Sequence, residues 1–192
     1  MSELFSIQLQ NRQQQGRDGV WLDLPTTTEQ VQAALRQIGI SSDNPQGLFI
    51  SGYFAEEEKR FAISYNMVLA SNVDELNFLA SRLETLSTGE RAELNAALQV
   101  PQSELSSIGR ITDFPENVDY YVHLPDVRGP AQLGDYYLNR SGMVDMPEEW
   151  KGGIDTAQFG RYVAQQEQGV FTECGYLVKS GDEWQKVHEG QP

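Results

Sequence analysis

Hydrophobic and polar positions alternate along residues 4–9, LFSIQL, with the period of two expected of a half-buried strand. The polar run QNRQQQGRDG follows and ends in glycine, which reads as a hairpin loop. VWLDLP then resumes as a second strand, stopped by Pro25. Thr26 and Glu29 have the spacing of a capping box. Behind them Val31, Ala34, Leu35 and Ile38 recur at i, i+3, i+4 and i+7, one face of a helix closed by Gly39. GLFISGYFA reads as a third strand. Residues 1–65 therefore predict a β-β-α-β unit.

The period then changes from two to 3.6. Asn72 and Glu75 cap a helix whose apolar face is Val73, Leu76, Leu79, Ala80 and Leu83. Ser87 and Glu90 cap the next, with Leu94, Ala97 and Leu98 inward. Pro101 suits the first turn of a third helix in PQSELSSIG. Residues 66–109 thus predict a small helical domain. From residue 110 both periods return. NVDYYVHL is strand-like. PAQLGDYYLNRSG is a short helix with Leu133, Tyr136 and Tyr137 inward and Gly142 at its end. TAQFGRYVAQQ is a helix with Phe159, Tyr162 and Val163 as its stripe. GVFTECGYLVKSGDEWQKV reads as a hairpin with its turn signal at Ser180-Gly181-Asp182. The fold class expected is α+β, with a third domain over 110–192.

Composition supports a folded chain. Hydrophobic residues make up 39% and aromatics 10% of the 192 residues, enough for cores despite a negative mean hydropathy. A single cysteine, Cys174, excludes an internal disulfide and suits a reducing cytoplasm. The first residues lack the basic and apolar regions of a signal peptide, and no apolar run approaches the ~20 residues of a membrane span. Charge changes the picture most. The 28 acidic residues outnumber the 14 basic ones, giving a net charge of −14. Such a chain is repelled by nucleic acid and by anionic membranes and attracted to basic partners.

Catalytic and cofactor patterns are missing from the sequence. It has no G-x-G-x-x-G, phosphate-binding P-loop, G-x-S-x-G or H-E-x-x-H pattern. DNPQG around Asp43 has too few oxygen ligands for a calcium loop. His123 and His188 stand alone, and Cys174 has no second cysteine with which to hold a metal; a Cys174–His123 nucleophilic pair stays open. No metal and no cofactor is expected.

The acids themselves are the candidate chemistry. Glu56, Glu57 and Glu58 are adjacent. The others are dispersed over predicted folded elements: Asp74, Glu75, Glu84, Glu90, Glu93, Glu104, Asp113, Glu116, Asp119, Asp126, Asp135, Asp145, Glu148, Glu149 and Asp155. Acidic tails concentrate their charge in one disordered block, whereas a dispersed set on a rigid frame can imitate an array of phosphates. At the charge density of duplex DNA, the carboxylates would cover roughly 48 Å of duplex, and the net charge about half of that. The plainer alternative is that these acids are the solvated faces of helices and loops.

Order along the chain adds a second kind of information. VWLDLP before a capped helix, NVDELNFLASRLETL, the long stretch LGDYYLNRSG…MPEEWKGGIDTAQFGRYVA and the terminal GVFTECGYLV together resemble the ArdA antirestriction family, in order over about residues 4–178. This resemblance implies an acidic DNA mimic: an elongated, three-domain homodimer carried on bacterial mobile elements. Such a protein occupies the DNA-binding groove of type I restriction-modification enzymes, at the methyltransferase core, without binding nucleic acid or membrane itself. It also implies that Tyr136, Tyr137, Phe159 and Tyr162 hold together a C-terminal domain bearing the dimer contact, with Gly134 and Gly160 permitting close packing. Three departures reduce the phosphate-like charge: Tyr162 after Gly-Arg, the NRQQQGR loop, and Arg140 in LNRSG.

Three functions compete on these grounds. They are a stoichiometric DNA-mimic inhibitor, an acidic module for another basic DNA-binding protein, and a hydrolase built on a carboxylate pair. The last needs a concave pocket with two carboxylates at catalytic separation and one raised pKa.

Overall fold

The structure is a computed structural model that describes residues 3–14, 18–41, 45–101 and 103–188. The tip of the loop in 10–19, Asp43 and Gln102 fall outside the described residues. The fold is mixed α+β, as expected, with two three-stranded antiparallel sheets. By contacts the chain forms two compact units, residues 1–86 with 105–115 and 186–192, and residues 87–104 with 116–185.

The first unit holds the sheet β2-β1-β3, from β1 (Phe5–Asn11), β2 (Val20–Leu24) and β3 (Leu48–Phe54). Phe5 pairs with Leu24 and Leu9 with Val20, and the β1–β3 register shifts between Gln8 and Leu9. As the central strand, β1 is almost wholly buried, and Ile7 and Leu9 are fully enclosed. Helix α1 (Thr28–Gln37) starts one residue later than the sequence suggested. Thr27, not Thr26, is the cap, and it exchanges bonds with Gln30: the Gln30 amide donates to Thr27 Oγ1, and the Thr27 amide donates to Gln30 Oε1. A neutral glutamine fills the role expected of Glu29.

After α2 (Tyr65–Leu69), α3 (Val73–Glu84) behaves as its pattern requires. Asn72 caps it, and Val73, Leu76, Leu79, Ala80 and Leu83 are all buried. Asn77 leaves that face to clasp Thr26, accepting from its N–H at 2.7 Å and donating to its carbonyl at 3.0 Å. The helix expected from Pro101 does not form there. α5 (Ile108–Thr112) begins instead behind Ser107, whose hydroxyl caps the Arg110 amide, and it packs on α3. Ser107 supplies the cap that Pro101 cannot.

The second unit begins with α4 (Thr88–Gln99), opened by the Ser87/Glu90 capping box. Its sheet has the order β4-β6-β5, from β4 (Tyr121–Leu124), β5 (Val170–Thr172) and β6 (Gly175–Lys179). The hairpin turn lies at Glu173-Cys174 rather than at Ser180–Asp182, because Thr172 Oγ1 accepts from the Cys174 amide and donates to the Gly175 carbonyl. α6 (Pro130–Asp135) runs on into a π-helical turn, Tyr136–Arg140; α7 (Glu148–Lys151) and α8 (Thr156–Glu167) follow.

The α6–α8 crossing orders this unit. A Cβ on Gly134 would lie 1.9 Å from the Thr156 carbonyl oxygen, and one on Gly160 would lie 1.8 Å from that of Pro130. Only glycine allows this approach. It turns Val163 and Ala164 toward the core of Val127, Leu133 and Tyr176, and it leaves Tyr162 59% exposed rather than inward. Tyr136 and Tyr137 do pack on that core. No helix among the described residues is long and apolar enough to cross a membrane.

Candidate functional site

The eighteen candidate acids sort by exposure into three groups. Glu56, Glu57, Glu58, Asp74, Glu116, Asp119, Asp126, Asp145, Glu148, Glu149 and Asp155 are exposed. Glu75, Glu84, Glu90, Glu93, Glu104 and Asp135 are half-buried. Asp113 is fully buried. The exposed ones sit on separate elements of both units: the 3-10 turn Glu57–Lys59, the start of α3, the turns before β4, the loop after it, and the α7–α8 region.

Several acids also have local structural roles. Asp155 caps α8 through the Gln158 amide at 2.9 Å. Glu90 closes its capping box, and the Ser87 hydroxyl and amide hold its carboxyl below the ordinary value. Acids that meet cations include Glu56 with Lys59 at 2.9 Å, Glu148 with Lys151 at 2.6 Å, Asp135 with Arg140 at 3.3 Å and Glu104 with Lys179 at 3.4 Å. Arg140, an opposing charge in the sequence, is thus matched locally and also lies 5.6 Å from the Tyr136 ring centre. Exposed pairs of this kind contribute little to stability.

Asp113 belongs to a different class. Its Oδ1 accepts from the His188 backbone N–H and pairs with His188 Nδ1, both at 2.8 Å, while the Phe78 ring packs edge-on against that imidazole. Nothing in the sequence distinguishes Asp113 from the displayed acids. Sequence reading also missed Glu167, which holds two phenols: Tyr137 O–H donates to its Oε1, and Tyr176 O–H donates to its Oε2 at 3.0 Å. Burial and this carboxylate push both phenol pKa values well above the ordinary tyrosine range.

Two of the candidate acids, Glu116 and Asp119, line one open cleft of about 410 Å³ together with two further acids, Asp182 and Glu183, and with Tyr120 and Trp184. The Tyr120 and Trp184 rings meet edge-on at 5.1 Å. Such a surface is attractive to cations. The nucleophile pair left open in the sequence takes a specific geometry. His123 Nε2 lies 2.9 Å from the Cys174 carbonyl oxygen, so that nitrogen carries its proton and donates, while Cys174 Sγ accepts from Gln99 Nε2. The imidazole is therefore engaged with the backbone rather than poised as a base on the thiol. No group of three or more metal-binding side chains occurs among the described residues.

A family model described as Antirestriction protein (ArdA) matches residues 15–178, most of the chain. The chain belongs to the ArdA family. Membership implies an antirestriction function; the family is one of non-catalytic inhibitors that act on restriction enzymes. No curated protein matches it significantly, so family membership, rather than an individual relative, carries this assignment. Residues 179–188 lie beyond the ArdA match, yet Asp182 and Glu183 among them line the acidic cleft.

Proposed function

We propose that this ArdA-family chain is a stoichiometric mimic of duplex DNA that fills the DNA-binding groove of a type I restriction-modification enzyme at its methyltransferase core. The observation that carries this reading is the distribution of the eleven exposed acids. They are spread over separate folded elements of both units and not gathered in a tail or around a catalytic pair. Rigidly held carboxylates present negative charge without the ordering cost of a disordered acidic block. Asp113 lies outside the proposed face, because it is buried against His188. An elongated arrangement of three domains (1–65, 66–109 and 110–192), a homodimer joined through the last of them and a place in the bacterial cytoplasm belong to the same proposal.

The test is competition. The protein is titrated into a type I methyltransferase core bound to labelled duplex, at 50 and 300 mM salt. Displacement near one-to-one, weakening at the higher salt, is the expected result, since the attraction is between exposed charges. No displacement across several such enzymes would overturn it and favour an acidic module for a different basic DNA-binding protein.

A further inference from the structure

Glu93 is an acid that a simple display of charge does not account for. It sits half-buried on α4, and its Oε1 is buried with no hydrogen-bond partner. Two carboxylates and one phenol interact with it electrostatically. Glu90 lies one turn back on the same helix, Asp119 lies in the turn preceding β4, and Tyr121 stands on β4, against which α4 packs. On β6, which also packs against α4, Lys179 is engaged with Glu104 and the face of Tyr120. Among the described residues, the charges that act markedly on Glu93 are those of Asp119 and Glu90, both negative. A carboxylate oxygen with no donor, flanked by two carboxylates, is held most easily as the neutral acid.

We propose that Glu93 couples partner binding to proton release: it is protonated in the free protein, and it gives its proton to solvent when cationic groups of a partner settle on the Glu90–Asp119 face. The O–H bond of the Glu93 carboxyl breaks, the proton passes to buffer, and the new carboxylate adds a charge only once a cation is there to match it. Asp119 is the link outward, since it is exposed and lines the acidic cleft while its charge acts on Glu93. Burial first, then Asp119 and Glu90, push the Glu93 carboxyl up to about 7, so the switch works near neutral pH. This inference rests on the reading of the acids as a partner-binding face and adds a regulation to it.

The experiment uses the full chain and hexalysine as the cationic probe, because lysine side chains, with an ordinary pKa of about 10.4, keep their charge throughout the range studied. The Glu93, Glu90 and Asp119 carboxyl signals are followed by NMR from pH 4 to 9, with and without the probe at low salt. Glu93 is expected to titrate near pH 7 alone and about one unit lower with the probe. Hexalysine affinity is then expected to rise about fivefold from pH 6 to 8 in the native chain and to stay flat in Glu93→Gln. A Glu93 midpoint in the ordinary carboxylate range overturns the proposal. So does a midpoint unmoved by hexalysine, whether or not Asp119 and Glu90 report binding, and so does an equal pH dependence in Glu93→Gln. No restriction enzyme enters this experiment, so its failure is distinct from a failed competition assay.

Discussion

The two compact units solve the same problem with different means. Among the described residues, twenty-five of the thirty-five buried hydrophobics belong to the first unit, where α3, α5 and the central strand β1 contribute side chains such as Leu76, Leu79, Ile7 and Phe114. The second unit carries fifteen of the 28 acids and only six of the 14 basic residues, and it therefore holds −9 of the net −14. Its few fully buried side chains are supplemented by the Gly134–Gly160 crossing and by the Glu167 carboxylate that ties two phenols together. Surface given to charge is surface unavailable for burial. The highly charged unit keeps its shape through close backbone contact and hydrogen bonds that a smaller core can still shield.

Substitutions can break this contrast, beginning with the largest effect. Leu79→Ala, a fully buried leucine on α3, is expected to destabilise the first unit by about 3 kcal/mol or more. Thermal melting followed by the Trp21 indole signal measures it. Gly160→Ala is expected to cost the second unit about 3 kcal/mol, because the added methyl meets backbone on α6 and not a flexible side chain. Trp150 and Trp184 report that loss, with Trp21 little changed. Glu167→Ala leaves two phenols without their acceptor and is expected to cost about 1–3 kcal/mol in the second unit alone.

Alkaline pH sharpens the contrast without mutation. Tyr121, Tyr137 and Tyr176 in the second unit all have raised pKa values, Tyr121 to about 12, whereas in the first unit burial raises Tyr53, also to about 12. A raised phenol contributes stability that is whole below its unfolded value near 10 and is lost as pH climbs through the folded value. The second unit is therefore expected to unfold first between about pH 10 and 12, seen as tyrosinate absorbance rising together with the Trp150 and Trp184 transition. The smallest effect is expected from Asp126→Asn. Stability should change by less than about 0.5 kcal/mol, while competition with DNA on a type I enzyme should weaken slightly and lose part of its salt dependence.

How legible each unit was in the sequence follows from the same difference. In the first unit, the α3 stripe could be read residue by residue, because a large apolar core enforces a strict period. In the second, TAQFGRYVA suggested Tyr162 as a core residue. The helix rotation is set by Gly160, which has no side chain for a pattern to register, and so the aromatic points outward. Caps were legible where residue types permit only one bonding scheme, as at Ser87 and Asn72. At Thr26-Thr27-Thr28 three candidate caps stood in a row, and the spacing to Glu29 pointed to Thr26, whereas Thr27 with Gln30 forms the cap. The overall acidity was plain from composition. That Asp113 is buried against His188, 75 positions away, depends on long-range contact that no local pattern encodes.

Beyond the last strand the chain is tied back by hydrogen bonds, each within one unit. Ser180 donates its N–H to the Tyr120 carbonyl, Asn117 grips both the N–H and the carbonyl of Gln185 in the second unit, and Asp113 takes His188 in the first. These stitches all lie past residue 178, where the family match ends. Anyone shortening the gene to the family's span would remove them and leave the Asn117 amide and the Asp113 carboxylate without these partners. Tertiary hydrogen bonds of the described chain thus run ten residues past the family match, to residue 188.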